Sequence, residues 1–261
     1  MQLLLNVGLC VAAWAAAPTL APSPSAPAEM WDRAVTVGGG AVDGGAADSR
    51  SAKVIVGDAK SDLKKADELR RAIRGKGEER RAALEKAAAA YAAVLSGFPD
   101  AKEEVAMAAF RLGELKRSLG KSDEACEAFA KVVASGGSRR LAGRAILETG
   151  HIHRRAKELG KALESYRKAA TEFSDETGSR DDSLYWIGVI HEQNKDYAKS
   201  REAWQAVADR GVDPLDRVRA FDRIALSHIK EGNRTEAHAA VEQAKSALHE
   251  IAADPRRAAR A

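Results

Sequence analysis

The stretch LGELKRSLGKSDEACEAF, residues 112–129, decides the fold, because the chain repeats its outline three more times. TGHIHRRAKELGKALESY follows at 149–166, IGVIHEQNKDYAKSREAW at 187–204 and IALSHIKEGNRTEAHAAV at 224–241. Few residues are identical, yet the small ones fall in register. Gly113, Gly150, Gly188 and Ala225 share one position. Ala125, Ala162, Ser200 and Ala237 lie twelve residues on, and Phe129, Tyr166, Trp204 and Val241 stand four beyond those. The steps between copies are 37, 38 and 37. A fixed period of about 20–50 residues marks a stacked array of one supersecondary unit.

Each copy holds two amphipathic stretches joined by a turn, such as SLGKSD at 118–123 or KEGNRT at 230–235. Gly stops one helix there, and Ser, Asp or Thr starts the next. Helix axes approach to about 8–10 Å only where the contact residues lack bulk. Gly113 and Ala125 therefore mark the expected crossing, and Phe129 and its counterparts the filling between one unit and the next. Composition agrees, being rich in Ala, Leu, Glu, Lys and Arg and poor in aromatic and β-branched residues, a mixture that favours helix.

These residues resemble the tetratricopeptide repeat (TPR). Its pattern sets an apolar residue and Gly in the first helix, Ala in the second, a large aromatic four later and a terminal Pro. Leu112-Gly113, Ala125 and Phe129 carry the pattern in the best copy. The usual first-helix Trp is replaced by Ala109, Ile146, Leu184 and Phe221. A degenerate copy comes first, with Gly75, Ala87, Tyr91 and Pro99. The long period and the stretch FPDAKEEVAMAAFRLGEL at 98–115 are similar to bacterial envelope TPR proteins of the Tol-Pal-associated and outer-membrane assembly types.

The resemblance implies an all-α, right-handed TPR-type α-solenoid of antiparallel helix pairs over 61–252, preceded by a disordered N-terminal segment. The degenerate repeat would span 61–99, and the others about 106–140, 143–178, 181–214 and 218–252. It further implies that certain first-helix positions face a concave groove. Residue by residue these are Met107, Phe110, Glu114 and Arg117; then Arg144, Leu147, His151, Arg154 and Arg155. The third copy supplies Asp182, Tyr185, Val189, Glu192 and Gln193, the fourth Arg219, Asp222, Leu226, Ile229 and Lys230. The expected partner-binding residues are Phe110, Arg117, Arg144, Leu147, His151, Arg154, Arg155, Tyr185, Gln193, Arg219 and Lys230. Three arginines in the second copy suit a carboxylate, since guanidinium forks grip it bidentately. The expected partner is a protein segment, acidic or ending in a free C-terminus.

Other chemistry finds little support in the sequence. No HExxH, Gly-x-Ser-x-Gly, Walker or paired-glycine dinucleotide motif occurs, so no catalytic residue, cofactor or metal is expected. His153, His191 and His228 recur in register, but stacked repeats hold equivalent points about 8–10 Å apart, too far to share one zinc with ligands at about 2.0–2.1 Å. They read as packing residues. Cys126 adjoins the crossing Ala125 and lacks the exposed, electropositive setting of a reactive thiol. Bases and acids, 42 against 38, interleave along the chain instead of forming a basic stripe, so no nucleic acid is expected.

The front differs from the rest. LLLNVGLCVAAWAAA at 3–17 is apolar and uncharged, shorter than the roughly 20 residues that span a bilayer. It fits the apolar part of an export signal over 1–17, though no Lys or Arg precedes it. Residues 18–60, rich in Ala, Pro, Gly and Ser, read as a disordered linker, and 253–261 as a basic tail. The chain is thus expected to be an exported, periplasmic, non-enzymatic protein-interaction scaffold. The alternative is a cytoplasmic TPR adaptor with an unstructured leader.

Overall fold

A computed structural model describes residues 58–211 and 213–253. The expected export signal, nearly all of the linker and all of the basic tail but Ala253 lie outside them. Among the described residues ten α-helices follow one another and no strand occurs. They pair as α1 (Ala59–Arg71) with α2 (Gly77–Gly97), α3 (Lys102–Ser118) with α4 (Ser122–Ser135), and α5 (Arg139–Arg155) with α6 (Leu159–Glu172). Then come α7 (Thr177–Gln193) with α8 (Tyr197–Arg210) and α9 (Pro214–Glu231) with α10 (Arg234–Ala253). The fold is the TPR-type solenoid expected from the repeats.

Side-chain caps start several of these helices. Asp58, Ser138, Asp196 and Asp213 accept from the backbone N–H of Ser61, Leu141, Lys199 and Leu215, satisfying donors that a helix start leaves open. Within each later pair the turn carries one left-handed residue: Gly120 (φ 76°), Lys157 (63°), Lys195 (60°) and Gly232 (82°). The N-cap residue of the second helix then donates its N–H to the carbonyl five residues earlier at 2.9 Å, as in Glu158 N–H to His153 O and Asp196 N–H to His191 O.

The small residues work at closer range than the crossing argument required. A Cβ on Gly113 would stand 2.6 Å from a ring carbon of Phe129; on Gly150, 2.6 Å from Tyr166; on Gly188, 2.6 Å from Trp204. Each aromatic therefore lies flat over the glycine of its own pair, not merely between units as its spacing suggested. It also reaches the next pair: Phe129 shares a core with Leu141 and Ala145 of α5. Ser200, the counterpart of Ala125 and Ala162, donates to the Gly188 carbonyl at 3.1 Å, so the glycine and small-residue positions do meet.

The first pair departs from the expected register. Gly75 is not in a helix but in the loop after α1, at φ 81°, with Gly77 at 55° opening α2. Two nearby glycines free to take positive φ end the helix before it reaches them. Ala66, fully buried with Ala87 and Tyr91, takes the small-residue place instead, and the Tyr91 hydroxyl donates to Asp67.

Candidate partner-binding groove

Substantial contacts between second-neighbour helices join only odd-numbered ones: α1 to α3, α3 to α5 and α5 to α7. The odd helices therefore line the inside of the bend and the even helices its outside. One pair of positions on this inner wall recurs from repeat to repeat. Arg117 of α3 pairs with Glu148 of α5; Arg154 of α5 lies 3.8 Å over the Trp186 ring of α7; Glu192 of α7 meets Arg223 of α9 at 3.4 Å. The first members are spaced 37 and 38 residues apart, and so are the second. From α3 onward each unit thus clasps the next at the same place, by ion pair, cation–π contact and ion pair of reversed polarity.

At the α5–α7 junction the clasp leaves an open groove of about 450 Å³. Arg140, Leu141, Arg144, Leu147, Glu148 and His151 supply the α5 bank. Asp175, Glu176, Ser179 and Asp182 form the opposite bank, at the start of α7. Leu141 and Leu147, at 9% and 5% exposure, make an apolar floor. The His151 Nδ1 is 2.8 Å from the Tyr166 hydroxyl, and burial, with Arg154, Arg155 and Arg117 nearby, pushes its pKa down to about 4. His151 is therefore neutral at pH 7, a hydrogen-bonding wall instead of a cation. The Asp182 carboxyl is pushed upward, first by burial, then by Asp216 and Asp181, with Arg144 opposing.

Of the residues expected to face the partner, Arg144, Leu147 and His151 come together here. The rest lie away from this lining. Phe110 is buried at 2% exposure, tilted against Phe129 at 5.6 Å and beneath Arg144 at 5.4 Å, so it supports the wall from behind. Arg117 is held by Glu148. Arg154 is stacked on Trp186, and Arg155 is exposed outside the groove lining. Tyr185 packs edge-on between Trp186 and Trp204 at 5.4 and 5.1 Å. Arg219 pairs with Asp216 at 2.9 Å, Lys230 with Glu192 at 2.7 Å, and Gln193 is exposed one residue beyond Glu192.

The sequence reading passed over Arg140, Glu148, Glu176 and Trp186. Trp186 and Glu148 occupy one repeat position with Arg111 and Arg223, so the periodicity that placed Arg117 and Arg154 could have placed their partners too. Glu176 sits in the inter-helix turn, where repeat spacing gives no direction.

The recurring histidines serve the turns. His153 Nδ1 is 2.7 Å from Glu158 and His191 Nδ1 is 3.7 Å from Asp196, five residues on in both cases; His228 has no Nδ1 partner. Among the described residues no three His, Cys, Asp or Glu side chains converge as a metal site would require. Cys126 is half-buried, its thiol pushed up chiefly by burial and then by Asp123 and Glu158. No described helix is long and apolar enough to cross a membrane.

Comparison with known proteins agrees with the repeat fold. Tetratricopeptide repeat families match residues 110–177 and again residues 182–210. Among solved structures, one of MamA protein has a TM-score of 0.53 at 19% identity, covering 76% of this chain and 95% of that one. Another MamA structure has a TM-score of 0.50 at 20% identity, covering 72% and 97%. A double mutant of MamA from RS-1 has a TM-score of 0.50 at 15% identity, covering 76% and 99%. No curated protein matches the sequence. At such identities the likeness speaks for the fold alone. Residues 110–177 and 182–210 thus match the tetratricopeptide repeat, and the described helix pairs stack as a TPR-type solenoid.

Proposed function

We propose that this chain is a non-enzymatic scaffold that holds a segment of another protein in the groove between α5 and α7, and that it works outside the cytoplasm. The groove carries the reading. A preformed concavity with an apolar floor and arginine on its bank costs its partner's binding little ordering on the scaffold side. Solenoids present such extended inner surfaces to proteins. The even-helix face offers the charged Lys, Glu and Arg mixture of a solvated exterior.

Export is supported by the apolar residues 3–17 with the small-residue sites Ala13-Trp14-Ala15 and Ala26-Pro27-Ala28. The likeness of 98–115 to envelope TPR proteins supports it too. N-terminal sequencing of the native protein tests it: a start after Ala15, Ala17 or Ala28 is expected, and an intact Met1 or Gln2 would reject it. The groove is tested by placing a photo-crosslinking amino acid at Arg144 on the inner wall and, separately, at exposed Lys168 on α6. A protein adduct formed from position 144 and absent from position 168 is expected. Equal trapping from both faces, or none from 144, would reject the groove.

A further inference from the structure

The two banks of the groove carry opposite free charges. Arg140 and Arg144 stand on the first half of α5. Glu176, at the cap of α7, and Asp182, in its second turn, stand across from them. The other charged groups of the lining are taken, Asp175 by Arg139 and Glu148 by Arg117. Among the described residues Arg140, Arg144, Glu176 and Asp182 make no direct ion pair; Arg144 lies over the Phe110 ring and acts on Asp182 across the groove only at longer range. The banks do not neutralise each other either. The partly buried Asp182 carboxyl is pushed upward despite Arg144, while the residue as a whole stays open to solvent. Leu141 and Leu147 lie between the banks.

We infer that the groove selects an extended partner segment of mixed charge, an acidic side chain seated on Arg140 and Arg144 and a basic one on Glu176 and Asp182. An aliphatic residue lies over Leu141 and Leu147 between them. The inference rests on the groove being the partner site. It replaces the acidic or C-terminal segment that the arginines suggested, since Arg154 is stacked away and Arg155 is off the lining. Packed helix axes lie about 8–10 Å apart and extended chain advances about 3.3–3.6 Å per residue, so the two charged residues stand two or three apart. An all-acidic segment sets a carboxylate against Glu176 and Asp182, and an all-basic one a cation against Arg140 and Arg144. Such like-charge contacts reject as strongly as the matched ones attract.

Three acetylated, amidated, dye-labelled peptides test this on the full chain at low salt by fluorescence anisotropy. One carries glutamate and lysine flanking two leucines, the second two glutamates, the third two lysines. The mixed peptide is expected to bind at least about tenfold tighter than either other. Asp182→Lys should weaken the mixed peptide about tenfold and strengthen the acidic one, and Arg144→Glu should weaken the mixed peptide and strengthen the basic one. Both side chains are exposed, so circular dichroism should show unchanged helix content. Equal binding of all three peptides, no binding of the mixed one, or indifference of its affinity to Asp182→Lys would overturn the inference. Crosslinking from position 144 would still stand in those cases; its loss would strike the proposed function itself.

Discussion

Gly150→Ala should destabilise this protein, although replacing a helical glycine by alanine usually stabilises by about 0.4–1 kcal/mol where the backbone allows it. A Cβ there would lie 2.6 Å from Cε1 and 2.7 Å from Cδ1 of Tyr166, where ordinary contact begins at 3.4 Å. The ring would have to retreat by about 0.8 Å in a close-packed interior. It has nowhere to go: Tyr166 is fully buried, its hydroxyl is 2.8 Å from His151 Nδ1, and its core neighbours include Leu147, Ile187 and Ile190. Overpacking of this kind costs about 1–3 kcal/mol, and the helix-propensity gain offsets about 1 kcal/mol of that. The net loss is up to about 2 kcal/mol. Gly160→Ala in α6, where nothing lies within 4 Å of the added methyl, is the control and should stabilise. Urea denaturation followed by circular dichroism reads both signs. Hydrogen exchange should show the loss confined to α5–α8, because each unit touches only its neighbours. Adding Tyr166→Leu should recover part of the loss, a coupling on the order of 1 kcal/mol. If Gly150→Ala stabilises as Gly160→Ala does, the locking of ring on glycine is wrong.

Lys195→Gly should stabilise by up to about 1 kcal/mol, because a non-glycine residue at φ 60° bears a steric cost of about 1–2 kcal/mol that exceeds the added backbone freedom of glycine; thermal denaturation checks it, and a fall in Tm would contradict it. Trp186→Leu should remove the cation–π clasp and loosen the α5–α7 junction, with earlier exchange of amides in α7 than in α3, read by hydrogen exchange. His151 has a folded pKa of about 4 against 6.5 for the free side chain, so the unfolded state takes up its proton first as pH falls. Its contribution is whole above pH 6.5 and is lost between about 6.5 and 4, at most about 3.4 kcal/mol before solvent screening of this partly buried ring is allowed for. His151→Gln should flatten that part of the stability–pH curve relative to the native chain, and an unchanged slope would count against it.

Periodicity made the stacked pairs legible from sequence, because small residues and rings recur in fixed register from Gly113 to Val241. It failed at Gly75, where matching by residue type took a loop glycine for a helix-crossing one; the small α1 residue that shares a core with Ala87 and Tyr91 is Ala66, outside the regular spacing, and α2 begins early and runs 21 residues. The inner-wall positions were readable as a set, but not their occupancy. Which arginine stays without an ion-pair partner depends on what faces it across the repeat boundary: Glu148 takes Arg117 and Trp186 takes Arg154, whereas Arg144 lies over the ring of Phe110 with no carboxylate in direct contact. Such pairings are set in three dimensions between residues some 31–38 apart, and a one-letter count of arginines carries no trace of them.

The recurring clasp also fixes the order in which the units tolerate rearrangement. Excising α5 and α6 would bring Arg117 opposite Trp186, reproducing the contact that Arg154 now makes there. Excising α7 and α8 would instead set Arg154 against Arg223, cation on cation, at a seam that must close. At the far end the same place is held by Ile229, 53% exposed, with no following helix pair among the described residues to receive it. Modules of equal length are therefore not interchangeable here: the chain reads its own sequence of units by charge, and a shortened version should survive the loss of one and not of the other.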